Sequence, residues 1–322
     1  MSSPPVTEAS VSGVSEGRFW FERERVLGPL FLLPAVVYIV ALVGFPLVLA
    51  VLYAFSGVTV GNPRIDEFVG LDNFRSVWTD RVFQKALRNT IVFTVISQVI
   101  VLILANLLAN ILSAEFRGKR LVRFLVLLPW TTPVALGVLG WFWLLDSVYS
   151  PIDWTLRFFG LLGPDTALGP ARNMYYLGTT ELAQFSVILV HIWRTLPLAT
   201  VILLAGLTAI PQDIRDAADI DGAGFWRQLI YIRLPLLLPI MAVATLFATV
   251  FAFTDLTIAL VLTRGGPVND TQVLASWAYF RGIQGGNLAH GAAIALFLLP
   301  VLIAIAIAML RLARRSGADE GA

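Results

Sequence analysis

The sequence predicts an all-α integral membrane protein with six transmembrane helices and one charged loop that leaves the membrane. Hydrophobic residues make up 57% of the 322 residues, charged residues only 14%, and the mean hydropathy is +0.80. These values are typical of a membrane protein rather than of a soluble domain. Six apolar runs reach the length of about 20 residues that a helix needs to cross a bilayer. Between the fourth and fifth runs, residues 210–236 carry a cluster of charges.

The predicted spans follow the apolar runs in order. The first, about 27–55, is too long for the apolar core of a signal peptide, and no small-residue cleavage site follows it, so we expect it to be retained. The other five predicted spans are about 86–113, 121–145, 181–209, 236–263 and 288–310. We therefore expect a tail over 1–26, a six-span domain over 27–312 and a second tail over 313–322.

The distribution of basic residues predicts the orientation of the spans. The two tails, with Arg311 just before the second one, and the loops 115–123 and 210–236 hold 13 of the 23 Lys and Arg residues. The three other loops hold nine, spread over longer segments and mixed with acidic residues. Because short cytoplasmic segments carry the excess of basic residues in membrane proteins, we expect both tails and the 210–236 loop in the cytoplasm.

The charged loop contains two predicted short helices joined by a glycine elbow. Its ionisable residues between 213 and 227 are Asp213, Arg215, Asp216, Asp219, Asp221 and Arg227. Each Asp or Arg at the centre of a bilayer costs about 2.5–3.5 kcal/mol, so this loop cannot span. Pro211 suits a first helical turn, and Gly222 and Gly224 break the helix. We expect Pro235 to end the second helix. Ala217 and Ala218 predict a smooth face that can enter a groove on a partner protein.

The motif in this loop resembles the EAA loop of permease subunits of bacterial ABC importers. Its residues are Asp216, Ala217, Ala218, Asp221, Gly222 and Ala223, followed by Leu234 and Pro235. Asp216 stands where the family usually has Glu. Four further segments resemble the carbohydrate-type permeases related to the maltose and glycerol-3-phosphate subunits: FVGLDNFRSVW (68–78), ALRNT (86–90), RGKRLVRFLVLLPWTTP (117–133) and VLTRGGPVNDT (261–271).

This resemblance implies a type I ABC importer permease fold in a bacterial or archaeal cytoplasmic (inner) membrane, surrounded by lipid. It implies that the charged loop is a coupling helix that docks into an ATPase subunit. The implied partners are a second homologous permease, a dimer of ABC ATPases and an extracytoplasmic solute-binding protein, and the implied function is ATP-driven uptake of a sugar or related polyol. The sequence has no G-x-x-x-x-G-K-[ST] loop, so we expect no ATPase activity and no cofactor on this chain, with ATP and Mg on the ATPase subunits.

Polar residues within the predicted spans are candidates for the solute pathway, because ionisable groups at membrane depth are usually functional. His191, Arg194 and Thr195 on the fourth span and Asp255 on the fifth lie at similar depth, and Trp130 on the third lies somewhat closer to the cytoplasm. The resemblance to the maltose permease adds Phe251 and places sugar contacts at these six positions. Two alternatives stay open: a purely structural ion pair between Arg194 and Asp255, and a His191 that is only packed. Asn106 and Asn110 on the second span are more typical of hydrogen bonds between helices than of ligands.

Two other classes of function stay open from the sequence. A secondary transporter needs ion-coupling groups and usually an internal repeat of spans, and no convincing repeat is present. A membrane-embedded enzyme could use His191 or His290 with Asp255, but the sequence contains neither an H-E-x-x-H nor a G-x-S-x-G motif. With no cysteine and two histidines, we expect neither a metal site nor a catalytic site. A net charge of +2 gives no reason to expect a nucleic-acid partner.

Overall fold

The computed structural model describes residues 24–65 and 67–318. Most of the predicted tail at 1–26, and the last four residues of the tail at 313–322, lie outside these ranges. Within the described ranges the chain is helical, and the only strand-like pairing is one isolated bridge. The chain divides into two units, the first of which ends at Leu49.

The first apolar run forms two helices joined by a wide turn. Helix α1 (Glu24–Ile39) leads into a π-helical turn (Val40–Gly44) and then into α2 (Phe45–Ala54), which crosses the boundary between the units. Together they make one candidate span of 27 residues. Large apolar side chains are exposed all round it, including Phe31 at 78% and Tyr38 at 65%. A helix that is apolar on every side suits a lipid environment rather than water.

The second unit contains twelve further helices among the described residues. They are α3 (Asp72–Thr79), α4 (Arg81–Ser113), α5 (Lys119–Thr131), α6 (Val134–Leu144), α7 (Pro151–Phe158), α8 (Thr180–Ala209), α9 (Gln212–Ile220), α10 (Phe225–Gln228), α11 (Leu234–Thr254), α12 (Leu274–Tyr279), α13 (Leu288–Leu296) and α14 (Leu298–Ala318). Four helical stretches in this unit are long and apolar enough to cross a membrane: Arg81–Ser113, Thr180–Ala209, Phe225–Thr263 and Leu288–Leu312. They confirm the second, fourth, fifth and sixth predicted spans, with ends that differ by several residues.

The predicted third span, 121–145, is not one straight helix. Helices α5 and α6 meet at an angle of 100°. Pro133 disfavours a helical conformation for the residue before it, and Thr132 is accordingly extended, with φ −75° and ψ 132°. The two pieces have 13 and 11 residues, so each is about 20 Å long or less, short of the roughly 30 Å hydrocarbon core. The chain therefore has five candidate spans in its described part, or six if this bent pair counts as one.

Small residues allow α4, α8 and α11 to pack closely at the centre of the second unit. Ala105 and Ala109 on α4 are fully buried in one apolar cluster with residues of α8 and α11. At Gly206 on α8, an added Cβ would lie 2.6 Å from Cδ1 of Ile240 and 2.8 Å from Cδ2 of Leu237. A side chain at this position would require the ends of Ile240 and Leu237 to move, so glycine suits the close packing of α8 against α11. Helices α8 and α11 carry most of the candidate pathway residues.

The helix that follows the charged loop runs without a break into the fifth span. Helix α10 continues through a π-helical turn (Leu229–Arg233) into α11, and a candidate span covers Phe225–Thr263. The prediction that Pro235 ends the second short helix is therefore wrong. Proline stops a helix because its ring meets the carbonyl of the preceding turn, and the wider π turn directly before Pro235 relieves that clash.

Asp270 ties together the end of the second unit that lies opposite the charged loop. Its carboxylate accepts hydrogen bonds from Nζ of Lys85 at the start of α4 and, at 2.7 Å, from the hydroxyl of Thr180 at the start of α8. Its main-chain carbonyl accepts from Nδ2 of Asn89 at 2.8 Å and from Nε2 of Gln184 at 2.9 Å. The Lys85 ammonium is the main cause of the lowered pKa of Asp270, with a further contribution from Thr180. These bonds hold α4 and α8 in register at this end.

Candidate functional site

Arg194 on α8 and Asp255 at the end of α11 form an ion pair between two helices. Nη1 of Arg194 donates to Oδ2 of Asp255, and the side chains are 22% and 7% exposed. A single charge in such surroundings costs much more free energy than a paired one. The pairing therefore explains how both charges are tolerated here, as the sequence alternative of a structural ion pair requires.

A break in the fifth span places the Asp255 carboxylate. Helix α11 ends at Thr254, and Asp255 has an extended backbone, with φ −77° and ψ 107°. Oδ1 of Asp255 accepts a hydrogen bond from the amide of Thr257 at 2.7 Å, in the manner of an N-cap for the helical turns that follow. The two carboxylate oxygens thus have different partners. Oδ2 accepts from Arg194, and Oδ1 accepts from the amide that follows the break in the helix.

One helical turn before Asp255, the ring of Phe251 contacts a second aromatic ring. Trp130, at the end of α5, meets Phe251 of α11 edge to face, with ring centroids 5.5 Å apart and an angle of 77° between the planes. Trp130 remains 36% exposed. The amide of Asp255 donates to the carbonyl of Phe251 at 3.0 Å and closes the last turn of α11, so Phe251 and Asp255 lie on the same side of this helix. An aromatic surface and a charged pair are therefore available together, next to the bend between α5 and α6.

His191 lines a small cavity on the side of Asp255 that faces α4. The cavity measures about 30 Å³, and its lining residues include Thr90, Thr94, Ser97, His191 and Asp255. His191 is 8% exposed, and its Nε2 is buried without a hydrogen-bond partner among the described residues. A space of this volume holds one or two water molecules, since about 10–15 Å³ is the minimum for one. This cavity therefore has no room for a larger solute in this conformation.

Of the six predicted pathway residues, four form two contacting pairs. Arg194 contacts Asp255, Trp130 contacts Phe251, and His191 lines the cavity together with Asp255. Thr195 is 1% exposed, and its hydroxyl donates to the carbonyl of His191 at 2.8 Å within the same helix. The hydroxyl proton of Thr195 is therefore used in this main-chain hydrogen bond and is not available to a solute.

The charged loop forms the two short helices and the glycine elbow that the sequence predicts. Helix α9 ends where the amide of Ala223 donates to the carbonyl of Ala218 at 3.0 Å and that of Gly222 donates to Asp219 at 3.1 Å. Gly222 has φ +69°, the left-handed conformation that favours glycine at the end of a helix. We call residues 210–228 the coupling elbow.

The elbow presents a mixed surface of small, acidic and large apolar residues. Exposed members of the predicted motif are Asp216, Ala217, Asp221 and Gly222. Large apolar side chains beside them are also exposed, with Ile220 at 86% and Trp226 at 66%. An exposed apolar group of this kind typically marks a protein contact. Ala218 differs, since it is only 5% exposed and packs inward. The prediction that Ala217 and Ala218 share one exposed face is wrong because consecutive helical residues point about 100° apart.

Sequence reasoning missed two residues, of which one joins the two helices of the elbow and the other joins the following turn to α4. Gln228 is 7% exposed and donates from Nε2 to Oδ1 of Asp219 at 2.6 Å. Arg233 donates from Nη1 to Oδ1 of Asn110 on α4 at 2.7 Å, which confirms a hydrogen bond between helices at Asn110. Both residues could have been noticed in the sequence as polar side chains within the mostly apolar stretch that follows Phe225.

Comparison with known proteins agrees with this architecture. The family model of the binding-protein-dependent transport system inner membrane component matches residues 102–317. The trehalose/maltose transport system permease protein MalF of Thermococcus litoralis is 31% identical over 292 residues, which cover 91% of this chain and 95% of that protein. The diacetylchitobiose uptake system permease protein DasB of Streptomyces coelicolor is 28% identical over 302 residues, 92% of this chain and 90% of that protein.

A solved structure has the same fold. It is a crystal structure of a bacterial alginate ABC transporter in complex with an alginate pentasaccharide-bound periplasmic protein. One of its chains superposes with a TM-score of 0.76 at 20% identity, covering 92% of this chain and 98% of that chain. The predicted fold class, an all-α ABC importer permease, is confirmed.

The first testable prediction concerns the ion pair. Arg194→Leu and Asp255→Asn each leave one charge unpaired, whereas asparagine still accepts the amide of Thr257. We expect each single change to lower the free energy of unfolding by up to about 3 kcal/mol and the double change to recover most of that loss. Denaturant unfolding of the purified protein in detergent measures this.

Asp72→Asn is the control for that prediction, since it breaks an ion pair with Arg75 whose side chains are 73% and 77% exposed. It should leave stability unchanged, because exposed pairs contribute little. A double variant no more stable than either single variant would contradict a paired role.

Proposed function

Because this chain belongs to the family of binding-protein-dependent transport system inner membrane components, we propose that it carries a sugar or related polyol into the cell. The chain is a multi-pass membrane protein and the permease subunit of an importer. The relatives named for trehalose/maltose and diacetylchitobiose transport support a carbohydrate as the solute. The observation that carries the proposal is the aromatic pair Trp130–Phe251 on the same face of α11 as the Arg194–Asp255 ion pair.

This pairing of groups suits the chemistry of a sugar. The faces of a sugar ring pack on aromatic side chains, and its hydroxyls form hydrogen bonds with charged groups, which are the stronger kind. Trp130 and Phe251 would supply the first contact, Arg194 and Asp255 the second, and His191 a further hydrogen bond. Thr195 would support the position of His191 through its bond to the main chain.

Transport requires the closed site to open. The cavity beside Asp255 is about 30 Å³, so a sugar enters only if the surrounding helices separate. The bend between α5 and α6 carries Trp130, whereas the break in α11 carries Asp255. Both are points at which a helix is already interrupted, so movement there breaks few main-chain hydrogen bonds. We place the opening between these two interruptions.

Energy for this opening would come from partner subunits. The coupling elbow would lie in the cytoplasm and dock, through Asp216, Ala217 and the exposed apolar side chains beside them, into one subunit of an ABC ATPase dimer. ATP and Mg would bind that dimer, and this chain would have neither ATPase activity nor a cofactor. A second homologous permease would complete the pathway, and an extracytoplasmic binding protein would deliver the solute.

The second prediction tests the function in two stages. The partner binding protein is first screened by thermal shift against monosaccharides, disaccharides, polyols and glycerol 3-phosphate, and we expect a sugar or polyol to stabilise it. The assembled transporter in proteoliposomes should then take up that compound only with ATP. Uptake without ATP would favour a secondary transporter instead, and a binding protein that no carbohydrate stabilises would contradict the proposed solute class.

The Arg194→Leu/Asp255→Asn variant adds a test of the site in the same assay. If these residues line the pathway, the stable double variant should still show uptake reduced at least about tenfold, because each lost charged hydrogen bond is worth about 1.5–3 kcal/mol. Lys119→Gln with Glu115→Gln removes another ion pair and should leave uptake unchanged. Normal uptake by the Arg194 and Asp255 double variant would leave them only the structural role.

The third prediction concerns orientation. The natural sequence has no cysteine, so a single introduced cysteine can be labelled selectively. Gly224 is exposed, has φ −65° and has open space around its Cβ position, and Val268 is 83% exposed near the opposite end. We expect a membrane-impermeant maleimide to label Gly224→Cys only in inverted vesicles and Val268→Cys in intact cells. Labelling of Gly224→Cys from outside would reverse the proposed orientation.

The fourth prediction concerns docking. Ala217 is exposed, so Ala217→Trp should leave the fold unchanged while its indole obstructs the ATPase groove. We expect the amount of ATPase that copurifies with the permease to fall at least about tenfold, equivalent to about 1.4 kcal/mol of binding free energy. Ala114→Trp makes the same change at another exposed alanine, beyond the end of α4, and should have no effect. Full copurification of Ala217→Trp would contradict docking through this face.

A further inference from the structure

The coupling elbow is joined internally by Gln228. Its Nε2 donates to Oδ1 of Asp219 at 2.6 Å and to the carbonyl of Ala223 at 2.8 Å. These bonds tie α10 to the end of α9 and to the turn between them. Because Gln228 is only 7% exposed, water competes little for its amide. The elbow is therefore one stiff piece rather than two helices on a flexible link.

Arg233 extends this hydrogen-bond chain to the second span. Its Nη2 donates to Oε1 of Gln228 at 3.2 Å, and its Nη1 donates to Oδ1 of Asn110 at 2.7 Å. In an α-helix, residues five apart point roughly 140° away from each other. The π turn over Leu229–Arg233 closes after five residues instead and returns Arg233 to the side of Gln228. The π turn therefore makes the connection possible.

Asn110 is held in position to receive this bond. Its Nδ2 donates to the carbonyl of Asn106 at 2.9 Å and to Oδ1 of Asn106 at 3.1 Å, which leaves its own Oδ1 for Arg233. Both asparagines are 7% exposed. Within the described part of the chain, the bond from Arg233 to Asn110 is the only polar contact between residues 210–236 and α4.

Arg233 is not placed there by an acidic partner. Among the described residues no carboxylate lies within ion-pair distance of its guanidinium, which instead binds two amide oxygens and lies 5.9 Å from the ring centroid of Phe225. A planar guanidinium can bind two acceptors at once in fixed directions. Its geometry is that of a connector between the elbow and α4.

We propose that Arg233 is a positioning residue that makes α4 move together with the coupling elbow. The elbow is continuous with α11, which ends at Thr254 just before Asp255, whereas α4 is distant from the elbow in the sequence. Helix α4 contributes Thr90, Thr94 and Ser97 to the cavity that Asp255 and His191 also line. From Asn110 to Ser97 is 13 residues, or about 20 Å along the helix. One movement of the elbow would thus displace both walls of the solute cavity.

This inference rests on the proposed coupling to an ATPase, and distance measurements between spin labels test it separately. Cysteines at Ala114 and Gly224 carry the labels, since both positions are exposed and the natural chain has no cysteine. A second pair, Gly224 and Val268, reports movement of the elbow itself. The complete transporter with its partner subunits is measured at rest and after trapping with ATP and vanadate.

In the wild-type complex we expect the Gly224–Val268 distance to change on trapping while the Ala114–Gly224 distance stays constant. Asn110→Leu and Arg233→Met should each uncouple the two, so that the Ala114–Gly224 distance shifts by about 5 Å, the size of a one-turn slip, or broadens by that amount. Because both act on one contact, the double variant should show no further change. It also removes both polar groups together, which limits the loss of folding.

Gln98→Leu is the matched control, because it replaces another buried side-chain amide of α4 by leucine, and that amide has no hydrogen-bond partner among the described residues. It should keep the wild-type distances if the contact itself transmits movement, whereas a merely structural effect of losing a buried amide on α4 would appear in both variants. Constant Ala114–Gly224 distances in Asn110→Leu and Arg233→Met, with a moving elbow, would overturn the proposal. An elbow that does not move on trapping in the wild type would instead contradict the proposed ATPase coupling.

Discussion

The ion pair between Arg194 and Asp255 is the constraint on which the arrangement of this protein depends. It joins α8 to the point where the fifth span breaks, in surroundings where neither charge could stay alone. The break exists because Asp255 leaves the helix and accepts the amide of Thr257. The same carboxylate thus lies where α11 ends, one helical turn after Phe251, and lines the small cavity that His191 also lines.

The two ends of the bundle are held by different kinds of contact. At one end Asp270 collects hydrogen bonds from α4 and α8, and Lys85 lowers the pKa of its carboxyl group. At the other end Arg233 binds amide oxygens of Gln228 and Asn110 with no carboxylate in reach among the described residues. A transporter that changes conformation needs one end that stays in register and another that can transmit movement. The contacts of Asp270 suit an end that stays in register, and the contacts of Arg233 suit an end that transmits movement.

Much of the fold could be predicted from the sequence because single segments determine it. Length and apolar composition specify a membrane-crossing helix without reference to its neighbours, which is why the spans at 86–113 and 181–209 were found almost to their ends. The elbow is equally local, since Gly222 allows the positive φ that ends α9. The same local rules failed at Pro235, where a π turn lets the helix continue, and at Thr132, where the path bends by 100°.

The sequence by itself determined the number of apolar segments, the charged loop and the residue types available for a pathway, because each depends on the transfer of one segment between water and lipid. Only the tertiary structure decided which of those residues meet. In the structure Arg194 contacts Asp255, and Trp130 contacts Phe251. Ala218 is buried, and Arg233 donates a hydrogen bond to Asn110, 123 positions earlier in the chain. Such contacts follow from the packing of helices distant in sequence, and no single segment contains that information.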